Sequence, residues 1–317
     1  MSDPAIRVEN LVKLYRPNRS AEIRAVDGLS FVVRPGTIFG LLGPNGAGKT
    51  TTLRILTTRA RPTSGRAEVF GYDVVRAPLD VRRCIGVVIQ EQAADLLLSV
   101  RDNLLIFARF HGRYGHSVRS RADDVMGQLG LDDVADRKVQ DLSGGFRRRV
   151  QVAKMFMIDV AVVFLDEFST GMDPILKRRV MELLRARAAQ GRTIVLTTQV
   201  LTEAEELCDD ILIINNGRQV AHGDLHALKL LTDRLYAVTL SFDRVPDDLS
   251  DIVARYSPAA VRVLHNTVQI RLKEDESRVL ELVSTLAKRG RILRVEISGA
   301  SLEDIFVELT QKESRVS

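Results

Sequence analysis

The chain has 317 residues, 46 basic and 41 acidic, a formal net charge of +5 and a hydrophobic fraction of 45%. Length suits two domains or three, and composition suits soluble domains with packed cores. They exclude a collagenous, disordered or disulfide-stapled chain. No apolar run approaches the roughly eighteen residues a membrane helix needs, and the start, MSDPAIRVENL, lacks the basic-then-apolar pattern of a secretion signal, so a cytoplasmic location is expected. The two cysteines, Cys84 and Cys208, have no metal-like spacing and are expected to be reduced thiols. Basic and acidic residues are interspersed, so the charge excess gives no expectation of a nucleic-acid partner. The densest basic cluster is Arg147–Arg149.

Three strand-like runs open the chain: AIRVENLVKLY, IRAVDGLSFVV and GTIFGLLG. The third empties into Gly43-Pro44-Asn45-Gly46-Ala47-Gly48-Lys49-Thr50, and helix-forming TTLRILTTRA follows. Strand, glycine loop and helix are the context in which G-x-x-x-x-G-K-[ST] cradles phosphate. Gly43, Gly46 and Gly48 let successive N–H groups curl inward onto an anion, and the helix start adds its positive dipole end. Lys49 supplies a charge for the β- and γ-phosphates, Thr50 a hydroxyl for Mg²⁺, and Thr51 a further donor to phosphate.

SVRDNLLIFARFHG and SRADDVMGQLGL carry apolar residues at helical spacing. Leu142-Ser143-Gly144-Gly145 then opens a long helix, FRRRVQVAKMFMI, placing a hydroxyl and bare N–H groups at a helix N-terminus as a second anion site. The strand AVVFLD ends on Asp166, where a strand-end carboxylate can hold Mg²⁺, and Glu167 follows directly. Two phosphate-binding surfaces in one chain call for a second copy.

Phosphate loop, LSGG and VVFLDE, in this order and spacing, resemble the nucleotide-binding domain of ABC ATPases over at least the first 225 residues. The implied fold is an α/β phosphate-loop NTPase with a core sheet, an antiparallel β subdomain and a helical subdomain (about 91–160), filling residues 1–224. The resemblance implies that Tyr15 stacks on adenine and that Glu167 polarises the attacking water. It further implies that Gln90, with Gln92 as a competitor, touches Mg²⁺ or that water. Ser143, Gly144 and Gly145 of one copy would close over ATP held by another, with Asp173 of STGMDP where the two meet. Three positions depart from the pattern. Gln199 stands where a γ-phosphate-sensing histidine is usual, and it can donate a hydrogen bond but cannot shuttle a proton near neutral pH. Phe146 replaces the glutamine that usually ends the signature. Phe168 replaces a proline, which frees the backbone of the following turn. The segment TTQVLTEAEELCDDILIINNGR is similar to that of daunorubicin-resistance exporter subunits, which also tend to carry glutamine at this position.

From about residue 232 to 317 the pattern changes to strand (YAVTLSF), helix (PDDLSDIVARY), a hairpin around His265-Asn266-Thr267, helix (ESRVLELVSTLAKRG), strand (RILRVEIS) and helix (SLEDIFVELTQK). The order βαββαβ suggests a small ferredoxin-like α+β domain with no catalytic constellation. Exporter-type ABC subunits with a similar tail make the leading expectation an ATP-hydrolysing exporter subunit. It would sit at the cytoplasmic face of the membrane on a separate permease chain, with a second copy of itself, ATP and Mg²⁺. The alternatives are a soluble ABC ATPase acting on ribosomes or DNA, and an ATP-binding regulator with little turnover. The transported substrate is not written in this chain.

Overall fold

The opening strands curl into an antiparallel sheet because their apolar residues repeat on one face. In the computed structural model, which describes residues 3–16, 22–88, 94–231, 235–273, 276–299 and 301–307, β1 (Ile6–Tyr15) pairs antiparallel with β2 (Ile23–Val33). The chain divides into two units, Met1–His222 and Gly223–Ser317.

In the first unit, β3 (Ile38–Leu42) leads through the glycine loop into α1 (Lys49–Leu56). β4 (Ser64–Val69) and β5 (Tyr72–Asp73) complete the antiparallel sheet in the order β2-β1-β4-β5. The chain continues through α2 (Pro78–Cys84), β6 (Ile85–Val88), α3 (Val100–Phe110), α4 (His116–Leu129), α5 (Gly144–Phe156), β7 (Val162–Asp166), α6 (Pro174–Ala189), β8 (Thr193–Thr198), α7 (Leu201–Leu207), β9 (Asp210–Asn215) and β10 (Arg218–Gly223). The central sheet has the order β10-β9-β3-β8-β7-β6, and β9, β3, β8, β7 and β6 run parallel.

Every residue of β3, β7 and β8 is buried, as expected for parallel strands covered on both faces. Strand alternation sorts them into two cores. Val162, Phe164 and Val195 pack with Ile6, Leu29 and Leu53 on one side. Val163, Leu165, Ile194 and Leu196 pack with Leu104, Val125, Val152 and Leu184 on the other. The ends of β3, β7 and β8 are thereby fixed side by side, and the functional groups sit there.

Asp159, in the link from α5 to β7, fastens the helices to the sheet. Arg121 of α4 binds its two oxygens at 2.7 and 2.9 Å, Arg192 just before β8 binds it as well, and Arg113 and Arg187 stand at 3.6 and 3.7 Å. The two-pronged Arg121 contact, helped by the other guanidinium charges, holds the Asp159 carboxyl well below the usual carboxylate range.

In the second unit α8 (Leu225–Leu230) precedes β11 (Leu235–Phe242), α9 (Leu249–Ala254), β12 (Ala260–Leu264), β13 (Thr267–Lys273), α10 (Glu276–Ala287) and β14 (Ile292–Gly299), and residues 302–307 are helical. The sheet order is β12-β13-β11-β14, with all neighbours antiparallel. The β12–β13 turn falls at His265-Asn266, with His265 at φ 52°. Val238, Leu240, Phe242, Val268, Ile270 and Leu272 alternate onto one face, under Ile252 and Val253 of α9 and Leu282 and Leu286 of α10.

Asp159→Asn is expected to lower unfolding free energy by about 2 kcal/mol at pH 7, a value reduced for the 29% of the side chain that water reaches. A depressed carboxyl stabilises above its unfolded pKa, near 4, and loses that contribution as pH falls. The gap between wild type and variant in urea unfolding should therefore hold from pH 7 to about 5 and narrow below about 4.

Candidate functional site

The glycine loop gets its shape from contacts that admit no side chain. A Cβ on Gly43 would lie 2.2 Å from the Ile214 carbonyl oxygen. One on Gly48, at φ 106°, would lie 2.3 Å from the Ala25 oxygen. Backbone from β9 and β2 thus presses the loop closed from outside, leaving its N–H side inward. Pro44, Asn45, Gly46 and Ala47 span the loop between these two pinch points, and an Ala47 N–H to Pro44 carbonyl bond of 3.1 Å closes the turn. Lys49 is only 5% exposed, and its amine donates to the carbonyls of Gly43 (2.8 Å) and Pro44 (3.0 Å). Burial pushes its pKa down, while the charges of Glu167 and Asp166 oppose that.

Asp166, 5% exposed at the end of β7, faces Thr50 Oγ1 at 3.5 Å through one oxygen and accepts a 2.5 Å bond from Thr197 through the other. A hydroxyl and a carboxylate at this spacing are hard oxygen donors of the kind Mg²⁺ uses together with substrate phosphates. No cage of three or more acidic, histidine or cysteine side chains exists among the described residues, and a phosphate-borne Mg²⁺ needs none. Thr51 follows Thr50 in the first turn of α1.

Glu167 adopts the left-handed region, φ 46°. Its N–H is held by the Thr197 carbonyl (3.1 Å) and hydroxyl (3.2 Å), and its carboxylate accepts a 2.5 Å bond from the Gln199 amide. An amide donor here fixes the carboxylate's direction without competing for its proton. Tyr15 ends β1 and is 36% exposed, with the Lys13 amine 5.0 Å from its ring. Gln90 and Gln92 lie outside the described residues.

The signature segment is built separately. Ser143 caps α5, accepting from the Phe146 N–H, and nothing stands within 4 Å of where a Gly144 side chain would be. Among the described residues, Ser143–Gly145 pack toward Phe146 and Gly171, not toward the phosphate loop. Phe146 lies under the Arg149 guanidinium at 4.8 Å. Asp173 caps α6 through the Leu176 N–H (2.9 Å) and pairs with Arg149 (3.0 Å). Phe168 is fully buried in the helix-side core, where its side chain packs in place of the usual proline ring. Both cysteines are free thiols.

Sequence reasoning missed Thr197, Arg148 and Glu203. Thr197 and Thr198 are two hydroxyls in a wholly buried strand, which is a legible signal. Glu203, 3% exposed, binds Ser169 (2.8 Å), Thr198 (3.0 Å) and Lys177 (3.2 Å). Arg148 is 7% exposed and sits in line with Val152 and Met155, at successive spacings of four and three residues, on the buried side of α5.

A glycine-lined anion loop at the end of β3, a buried lysine, and adjacent acids at the end of β7, one strand over beyond β8, define a phosphate-loop nucleoside triphosphatase of the kind that carries a separate signature helix. The ABC transporter family model matches residues 26–170. The chain is 39% identical to the daunorubicin resistance ATP-binding protein DrrA2 of Streptomyces coeruleorubidus, over 98% of this chain and 96% of that one. It is also 39% identical to the Nod factor export ATP-binding protein I of Ralstonia nicotianae, over 99% and 96%. Among solved structures, an ATP-binding subunit of an ABC transporter superposes with TM-score 0.66 at 25% identity, over 72% of this chain and 92% of that one. A dimeric ATP-binding cassette with ADP and phosphate superposes at 0.65 and 23% identity, over 69% and 98%, a likeness of fold. The chain belongs to the ABC transporter ATP-binding family and is an ABC ATPase.

Thr197→Val should leave a buried Asp166 oxygen without its donor and raise the Mg²⁺ concentration for half-maximal ATP hydrolysis about 10-fold. Titrating Mg²⁺ at saturating ATP measures this. Glu167→Gln should lower kcat by about 10²- to 10³-fold with little change in ATP affinity, read from steady-state turnover and fluorescent-nucleotide binding.

Proposed function

We propose that this ATPase powers export through a membrane permease carried on a separate chain, from the cytoplasmic face of the membrane. The observation that carries the reading is the extent of likeness. Relatives named for daunorubicin resistance and for Nod factor export match over nearly the full length of both chains, including the second unit. No helix among the described residues is long and apolar enough to cross a membrane, which is consistent with a permease on another chain.

In this reading the loop from Gly43 to Thr51, through its inward backbone N–H groups (Pro44 has none), and the Lys49 amine bind the β- and γ-phosphates, and Tyr15 stacks on the adenine. Thr50, Asp166 and Gln90 would hold Mg²⁺, which would neutralise charge on the phosphate oxygens. Glu167 accepts a proton from water as its oxygen bonds to the γ-phosphorus and the bond to the β–γ bridging oxygen breaks. Gln199, already bonded to Glu167, keeps that carboxylate aimed and offers its amide to the γ-phosphate. It cannot carry a proton, so the base role rests on Glu167 alone. Ser143, Gly144 and Gly145 of a second copy close over the same ATP, and Asp173 lies at the join. Binding closes the pair, hydrolysis reopens it, and the permease follows.

The presence together of Lys49, Thr50, Asp166, Glu167 and the full Leu142–Gly145 signature favours an active enzyme over an ATP-binding regulator. We read the second unit as a ferredoxin-like accessory domain, supported by its βαββαβ order and the strand order β12-β13-β11-β14.

Affinity purification of this chain from gently solubilised native membranes, followed by mass spectrometry, should recover a multi-span membrane protein in stoichiometric amount. Recovery only from the soluble fraction, or with ribosomes or DNA, would overturn the export reading.

A further inference from the structure

The signature helix α5 reaches back to the catalytic glutamate of its own chain through a buried cation that the proposed mechanism leaves without a role. Arg148 points inward, 7% exposed. Its guanidinium donates to three consecutive backbone carbonyls, those of Asp166 (3.1 Å), Glu167 (2.5 Å) and Phe168 (3.0 Å), and also to the Gln151 side chain (2.5 Å). Burial pushes the Arg148 pKa down, and the nearby charges of Asp166 and Glu167 oppose it. A guanidinium offers five donors in a fixed fork, and few other side chains could satisfy three carbonyls in a row.

Those carbonyls flank a strained residue. Glu167 sits at φ 46°, a conformation that a residue bearing a Cβ holds only under constraint from outside. The constraint comes from both sides. Thr197 of β8 takes the Glu167 N–H, and Arg148 of α5 takes its carbonyl. Relaxation of this residue would swing its Cβ and carry the carboxylate away from Gln199 and from the water it must polarise. A misplacement of about 1 Å can cost about 10²-fold in rate.

We propose that Arg148 is a positioning residue for Glu167, a strut that links the ATP grip of the signature helix to the general base of the same chain. The proposal rests on the two-copy reading above, in which the Ser143 end of α5 closes on the partner's ATP. Arg148 lies about one helical turn beyond Gly144 on that helix, so a shift of the signature end moves the clamp. Seating the signature on one ATP thereby settles the base that acts on the other. Arg149 runs beside it as a second tie, from α5 to Asp173.

The test uses the full-length chain with Arg148→Met and Arg148→Lys, each alone and combined with Glu167→Gln. Arg148→Met should lower kcat for MgATP about 10²-fold with KM within about threefold of wild type, and Arg148→Lys should recover part of the loss. In the Glu167→Gln background, ATP-driven dimerisation by light scattering should be the same with and without Arg148→Met, since phosphate loop and signature are untouched. Wild-type kcat in Arg148→Met, or loss of the ATP-driven dimer in the combined variant, would overturn the strut. If Arg148→Met fails to fold by circular dichroism, Arg148→Lys decides: a lowered kcat at unchanged Tm supports the strut, and a wild-type kcat refutes it. Wild-type protein turning over no faster than Glu167→Gln would count against the export-ATPase reading and the strut together, whereas wild-type-like turnover in both Arg148 variants counts against Arg148 alone.

Discussion

The backbone at the end of β7 governs this site. There a buried aspartate is followed by a glutamate in the left-handed region, and the turn after them enters the core through Phe168. An extended Glu167 would simply continue the strand and send its side chain elsewhere. The reversed φ turns it across the end of the sheet toward Gln199. Such a conformation persists only where the surroundings over-determine it. Here the constraint is shared by a strand on one side and a helix on the other.

The same economy appears at the end of β8, where three consecutive residues each serve a different acid. Thr197 donates to Asp166, Thr198 to Glu203, and Gln199 to Glu167. Glu203 in turn binds Ser169, two residues past Glu167, and Lys177 near the start of α6. Buried charge is expensive unless it is matched by charge or by hydrogen bonds. Lys49, Asp166, Glu203 and Arg148 are all buried in this unit, and each is matched. The result is a polar layer at the sheet ends in which each of these buried charges has hydrogen-bond partners.

The triple arginine illustrates how far a sequence can be read. Arg147 bonds the carbonyls of Leu142 and Gln140, Arg148 those of residues 166–168, and Arg149 pairs with Asp173 and covers Phe146. Three identical side chains differ because each helical residue is turned about 100° from the last. The pattern with Val152 and Met155 marks Arg148 as the inward one, but nothing local says what it meets. The phosphate loop, by contrast, is legible outright, since its function resides in one contiguous stretch of backbone. In the second unit β11, α9, β12, β13, α10 and β14 were legible from periodicity, with the hairpin expected around His265-Asn266-Thr267. Helix α8 was not read, and the expected last helix is described only over residues 302–307.

The sequence by itself determined the periodic helices and strands, the phosphate loop, the adjacent acids and the signature, because each is written in neighbouring residues and governed by local sterics, alternation or helix polarity. The elements β4, β5, α2, α6 and α8 were not read from it. Tertiary structure decided which donors serve those acids. Thr197 lies 31 residues from Asp166 in the chain, and Arg148 lies 19 from Glu167. They meet only because the parallel sheet sets β7 beside β8 and the helix-side core fixes α5 beneath the strand end. Chain separation carries no information about such meetings, and packing alone brings them about.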